Sequence, residues 1–295
     1  MRARHPDSES FVESGGLSIG YEVFGEGDVT LLLLPTWTII HSRFWKLQVP
    51  YLARHFRVIT YDGPGNGRSD RLVDPEVYSR GAQASYALDV MDATDTAKAV
   101  VVSLSMGSMW SLMLAADHPD RVLGQVFIGP TLPITPPTPA RAEFEDEFWG
   151  EHDDPKGWDK YNAHYWLSDW KDFAEFFFAQ CFPEPHSTKQ REDCVGWALQ
   201  TEPEVMVAEA SSDDVNHETV LDWCGRATGP VLVIHGDDDR ISPLSRAHRL
   251  AEATGGTLVT VRDGGHIPLA RDPVLVNLLI KDFADRLTGP QKAPA

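Results

Sequence analysis

Cysteine is scarce in this 295-residue chain, which has three: Cys181, Cys194 and Cys224. An odd number at irregular spacing, with no CxxC and no paired histidines nearby, fits neither a disulfide frame nor a zinc site, so ordinary thiols are expected. Long apolar runs are missing as well. No stretch approaches the roughly 18 apolar residues of a membrane span, and the opening MRARHPDSES has no apolar core of a secretory signal. No membrane partner is expected, and the chain reads as cytoplasmic. Positive charge is also in short supply, with 26 Lys and Arg against 44 Asp and Glu and a formal net charge of −18. Such a surface repels nucleic acid, anionic membranes and heavily phosphorylated substrates over a Debye length. A nucleic-acid partner is therefore not expected. The chain lacks internal repeats and low-complexity blocks, and neither a cofactor nor a metal is expected; nothing in it sets an oligomeric state.

What is present is a composition able to bury a sizeable core, 42% hydrophobic and 24% charged. Residues 11–24 with the Gly15-Gly16 turn predict a hairpin, and the apolar run at residues 30–34 predicts a buried strand. Phe44, Trp45, Val49 and Leu52 predict a helix over residues 41–55 despite Pro50. Strand patterns recur at 56–61, 99–103 and 122–128, with helical patterns at 86–95 and 107–118 between them. This alternation implies a mostly parallel sheet covered by helices on both faces, an α/β fold. The pattern breaks after residue 130. Residues 131–212 open with four prolines and continue as helices rich in aromatics and acids, read as an inserted helical cap and not a free-standing domain. The core is then residues 1–130 and 213–295. Alternation resumes with a strand at 230–235, a helix for which Ser242 is the expected N-cap and Pro243 the first-turn residue, a strand at 257–261, and a final helix from Pro273 with Val274, Leu275, Leu278, Leu279, Phe283 and Leu287 along its inner face.

The stretch VVSLSMGSMW, residues 101–110, places two serines between a strand and a helix. A serine hydroxyl is a poor nucleophile at neutral pH and needs a base, an acid to orient the base, and donors for the developing oxyanion. A sharp strand-to-helix turn would hold it proud of the sheet, and such a turn tolerates only small residues two positions to either side. Ser105, flanked by Ser103 and Gly107, meets that requirement; Ser103 does not.

Ser103-Leu-Ser-Met-Gly107 resembles the G-x-S-x-G elbow of the α/β-hydrolase fold, with serine for the first glycine. Asp62-Gly-Pro-Gly-Asn-Gly-Arg-Ser69 is similar to the glycine-rich loop after that family's fourth strand, His235-Gly-Asp-Asp-Asp239 to its acid loop, and Asp263-Gly-Gly-His266 to its histidine loop. The resemblance covers almost the whole chain outside the cap and points to the capped, serine-nucleophile branch that includes esterases and lactonases. It implies Ser105 as nucleophile, His266 as base and Asp239 as the acid that orients it. The plainer, less favoured reading of Asp237–Asp239 is a solvated acidic turn, and a lone loop histidine is usually only polar decoration, which the place of His266 among the gathered loops argues against. The resemblance further implies an oxyanion hole from the Met106 N–H and, by position, the Trp37 N–H. The loop that usually reads His-Gly-X is here Pro35-Thr36-Trp37, and proline is no backbone donor.

Thr36, His41, Trp166 and Trp170 are the candidate pocket residues. Six of nine tryptophans fall in or just after the cap, where they form either its own core or an aromatic lid favouring an apolar or aromatic substrate. The function expected is hydrolysis of a carboxylic ester or lactone of a small molecule. Carbon–carbon bond hydrolysis or cofactor-free perhydrolysis by the same triad, or a slow-turnover ligand sensor, are the alternatives.

Overall fold

The computed structural model describes residues 3–135, 147–212 and 214–288. The antiparallel hairpin β1 (Ser8–Ser14) and β2 (Leu17–Phe24) leads into β3 (Thr30–Leu33). The expected 41–55 helix is instead a 3-10 turn over Ser42–Leu47 followed by a four-residue α1 (Val49–Leu52). Pro50 explains the break: it cannot donate to the preceding turn and serves in the first turn of a new helix. Then follow β4 (Arg57–Tyr61), α2 (Arg80–Ala93), β5 (Ala99–Leu104), α3 (Gly107–Asp117) and β6 (Val122–Ile128). Among the described residues between β6 and the next strand lie α4 (Ala163–Ser168), α5 (Trp170–Cys181), α6 (Thr188–Ala198) and α7 (Pro203–Ala210), and then α8 (His217–Arg226). The chain closes with β7 (Val231–Gly236), α9 (Leu244–Thr254), β8 (Thr257–Val261), α10 (Pro268–Arg271) and α11 (Pro273–Thr288).

The eight strands form one sheet in the order β1-β2-β4-β3-β5-β6-β7-β8, parallel from β4 through β8, with β2 antiparallel to both its neighbours. Side chains alternate faces along a strand, and both faces here are buried. Leu31 and Leu33 join one hydrophobic cluster, Leu32 and Leu34 the other. The second cluster is covered by α2, α3, α8 and α9; the first by α1 and α11. That first cluster continues without a break into Trp166, Phe173 and Phe178 of α4 and α5. Because the parallel strands share one direction, the loops after β3, β5, β6, β7 and β8 gather at one edge of the sheet. No helix among the described residues is long and apolar enough to cross a membrane.

Two expectations at helix boundaries and faces are corrected. Ser242 does not cap α9 with its side chain. Pro243 takes the N-cap position, while the buried Ser242 hydroxyl reaches across to donate to Pro130 O at 2.7 Å. In α11, Val276, Ile280 and Ala284 are fully buried, whereas Val274, Leu275 and Leu278 are exposed. The inward stripe runs at intervals of four, and of the other apolar residues Leu279, Phe283 and Leu287 lean on its edges while Val274, Leu275 and Leu278 face out.

Candidate active site

The elbow is built by backbone strain and close approach. Ser105 sits between β5 and α3 at φ 52°, a left-handed conformation that non-glycine residues rarely adopt. The turn brings Gly107 so near the β3 loop that a Cβ there would lie 2.5 Å from Pro35 O. Only glycine fits at that position. Ser103 stays inside β5, fully buried, with its Oγ 3.4 Å from Val126 O.

The three residues implied by the resemblance come together from three loops. Ser105 Oγ lies 2.9 Å from His266 Nε2, and His266 Nδ1 lies 2.8 Å from Asp239 Oδ2. His266 is buried, and its loop is tied to the helical insertion: the His266 N–H donates to Cys181 O at 3.0 Å and the Gly265 N–H to Glu184 Oε1 at 2.7 Å. The Asp239 carboxyl is fully buried. Burial alone would push its pKa up, but His266, His235 and the Ser242 N–H outweigh burial and hold it below the ordinary carboxylate range. His235, 3.3 Å from the same Asp239 oxygen, is kept low by burial. Asp237 and Asp238 are exposed on the same turn, and Asp238 faces Arg240 at 3.4 Å.

Thr36 Oγ1 donates to Leu104 O at 2.8 Å, which seats the 35–37 loop against the end of β5 beside the serine. A narrow cavity of about 30 Å³ is lined by Ser105, Met106, Trp37, Thr131, Tyr161 and Ile241 among others. It adjoins a cleft of about 430 Å³ that shares Trp37, Met106, Thr131 and Tyr161 and adds Trp166, Glu209 and two arginines, Arg80 and Arg246. Trp37 packs edge-on against Phe177, ring centroids 5.1 Å apart, and obliquely against Trp166 at 5.7 Å.

Not every candidate pocket residue reaches this space. Thr36 is buried behind the loop, and Trp170 is interior, its Nε1 donating to Ala198 O at 2.9 Å. His41 lines a separate cavity with Asp62, Arg68 and Trp197, its Nδ1 3.9 Å from Asp62 Oδ1. Neither cavity beside Ser105 counts Thr36, His41 or Trp170 among its described lining residues. Among the described residues, no group of three or more His, Cys, Asp or Glu is arranged to hold a metal ion.

Two residues at the site escaped the sequence reading. Thr131 Oγ1 lies 3.2 Å from Ser105 Oγ, and the Thr131 N–H donates to Ser105 O at 3.2 Å. Its position directly after a parallel strand, at the edge where the loops gather, was the available signal. Glu209 left no signal, because an acid on a short helix reads as a solvated face.

Comparison with known proteins agrees with this architecture. The profile of the alpha/beta hydrolase fold matches residues 29–273. A protein of Variovorax paradoxus (strain S110) named as a carbamate hydrolase, RutD, is 26% identical over 93% of this chain and 98% of its own. The 2-hydroxymuconate semialdehyde hydrolase of Pseudomonas sp. (strain CF600) is 30% identical over 70% of this chain and 69% of its own. Among solved structures, the enol-lactonase of Burkholderia xenovorans LB400 superposes with a TM-score of 0.75 at 21% identity, covering 93% of this chain and 99% of that one. The chain belongs to the alpha/beta hydrolase fold family, and the two relatives named above are hydrolases by name.

Proposed function

We propose that the protein is a serine hydrolase cleaving a carboxylic ester or lactone of an apolar or aromatic small molecule through an acyl-enzyme. One observation carries the reading: the unbroken path from Ser105 Oγ through the His266 ring to the buried Asp239 carboxyl. Ser105 attacks the carbonyl carbon while His266 Nε2 takes its proton. The tetrahedral intermediate collapses, and His266 returns that proton to the departing alkoxide. Water then repeats the cycle on the acyl-enzyme. Asp239 keeps the proton of the neutral imidazole on Nδ1, leaving Nε2 free to accept. The oxyanion is held by the Met106 N–H at the start of α3 and the Trp37 N–H. Supporting this, neither amide has a hydrogen-bond acceptor among the described residues. Residues 131–212 act as a lid on a core of 1–130 and 213–295; the aromatic lining from Tyr161 and Trp166 supports that role and an apolar substrate.

The test is labelling of wild type and Ser105→Ala with a serine-directed phosphonate, read by intact mass, beside turnover of p-nitrophenyl esters of rising chain length. Labelling and turnover in the wild type only are expected, with kcat of Ser105→Ala down by several orders of magnitude. An unlabelled wild type would sink the mechanism. Carbon–carbon bond hydrolysis is the second reading, favoured by the 30% identical 2-hydroxymuconate semialdehyde hydrolase. A kcat/KM on that semialdehyde above that for the best ester would move the assignment there.

A further inference from the structure

Pro35 has no N–H, so the loop after β3 can offer an oxyanion donor only from residue 36 onward. The way this loop is held therefore matters for turnover. Thr36 is anchored through its hydroxyl to Leu104 O. The peptide joining Trp37 to Thr38 is gripped at both ends: Trp37 O accepts from the Ile40 N–H at 3.2 Å, and the Thr38 N–H donates to Glu209 Oε2 at 3.3 Å. One bond further, Asn66 Nδ2 donates to Thr38 O at 2.9 Å.

Glu209 comes from α7, 171 residues away in sequence, and is 3% exposed. A buried carboxyl is costly to a fold, and a surface acid would have served the helix equally well. Its oxygen accepts from the backbone N–H next to Trp37, a residue that lines the narrow cavity beside Ser105.

We propose that Glu209 is a positioning residue: by holding the Thr38 N–H it fixes the Trp37–Thr38 peptide, so that between this hold and the Thr36 anchor the Trp37 N–H stays aimed at the oxyanion, and it thereby ties α7 to turnover. This rests on the reading of Ser105 as nucleophile given above. A carboxylate accepts from an N–H more strongly than a neutral acid does, so the hold is tighter when Glu209 is ionised. Burial raises its pKa to about 7, against the opposing pull of Arg80 and of the Thr38 hydroxyl and N–H. Arg80 at the start of α2 and Tyr78, in the turn packed on α7, are the groups that act on this carboxyl. On α4, also packed on α7, His164 is bonded to Trp149 O and Tyr165 to Asp172. Asp214 and Arg246 line the same cleft.

The experiment compares wild type, Glu209→Gln and Glu209→Ala on a p-nitrophenyl ester and against a trifluoromethyl ketone, which forms a tetrahedral, oxyanion-bearing adduct with an active serine. Glu209→Ala should lower kcat by about 10- to 100-fold, a part of what an oxyanion donor is worth. KM should stay within about twofold, and the ketone's Ki should rise by the same factor as kcat falls. The near-isosteric Glu209→Gln, which keeps an acceptor, should recover most of the activity. It should also remove from the acid limb of kcat against pH the modest fall that the wild type shows as Glu209 takes up a proton around pH 7.

A raised KM with unchanged kcat would make Glu209 a substrate contact and overturn the proposal. So would kcat, Ki and acid limb all matching the wild type. Phosphonate labelling separates the two failures. A labelled wild type with unaltered Glu209 variants removes only the role of Glu209, whereas an unlabelled wild type removes the reading of the site and this role with it.

Discussion

Asp239 and Glu209 are both buried, yet the first is held below the ordinary carboxylate range and the second rises to about 7. The difference lies in their partners. Asp239 has two imidazoles and two backbone N–H groups, from Ile241 and Ser242, around one carboxyl. Glu209 has the Thr38 N–H and the attraction of Arg80 against the same desolvation. Linkage gives the two opposite signs. Between about 4.5 and about 7 the folded protein holds a proton on Glu209 that the unfolded chain has released, so stability falls as pH rises through that window. For Asp239 the contribution is present above the unfolded value and is lost as pH falls through its lowered folded value. Glu209→Gln, which cannot ionise, should therefore gain about 3 kcal/mol over the wild type at pH 8 and almost nothing at pH 4.5. Thermal unfolding at the two pH values checks this, and an equal difference at both would mean that Glu209 titrates like a surface acid. A variant that is stabler but slower would mark Glu209 as stability given up for function. Sequence alone carried the polar residues of the elbow and the histidine loop, because each sits after a strand in a short, small-residue turn. Glu209 was not legible, since its neighbours at the site come from distant segments, and Thr131 was marked only by its place after β6.

At the scale of elements, the site depends on α3 and the β3 loop meeting without a side chain between them. Gly107→Ala would put a Cβ 2.5 Å from Pro35 O, a backbone atom that cannot rotate away. Overpacking of this kind costs about 1 to 3 kcal/mol. Here the relief comes from moving either the start of α3 or the 35–38 loop, so kcat should fall by about 10-fold or more as the proposed oxyanion donors, the Met106 and Trp37 N–H groups, shift. Gly196→Ala on α6 is the control. A Cβ there meets nothing within 4 Å, so the change should stabilise slightly and leave kcat alone. Denaturant unfolding and ester turnover on both variants decide it; equal kcat in the two would show that the close approach does not set donor geometry. The strands were legible because a parallel strand buried on both faces reads as a continuous apolar run, as in residues 99–104 and 231–236. Helix details were less so. Pro50 splits one expected helix, and α11 buries the Val276, Ile280 and Ala284 stripe while Val274, Leu275 and Leu278 face out, because the rotation of a helix about its axis is set by the surface it packs on.

For the whole molecule, one hydrophobic cluster spans both the α1/α11 face of the sheet and the aromatic interior of α4 and α5. Residues 147–212 therefore have no core independent of the sheet, and unfolding should be a single transition. Near-ultraviolet circular dichroism, to which Trp158, Trp166 and Trp170 contribute beside the tryptophans packed on the sheet, should coincide with the far-ultraviolet signal; a near-ultraviolet signal lost in two steps would show the insertion melting alone. The α/β class, the place where the alternation stops and restarts, and the serine, acid and histidine loops can be read along the chain, because they follow from local periodicity, turn chemistry and order. What surrounds them comes from packing in three dimensions. Trp166 and not Trp170 faces the cleft, His41 lies in a different cavity, Thr131 stands beside Ser105, and a carboxyl from α7 grips the loop after β3. Those are contacts between residues far apart in the chain, set by how the sheet stacks its loops at one edge and how the inserted helices settle over them, and no local pattern encodes them.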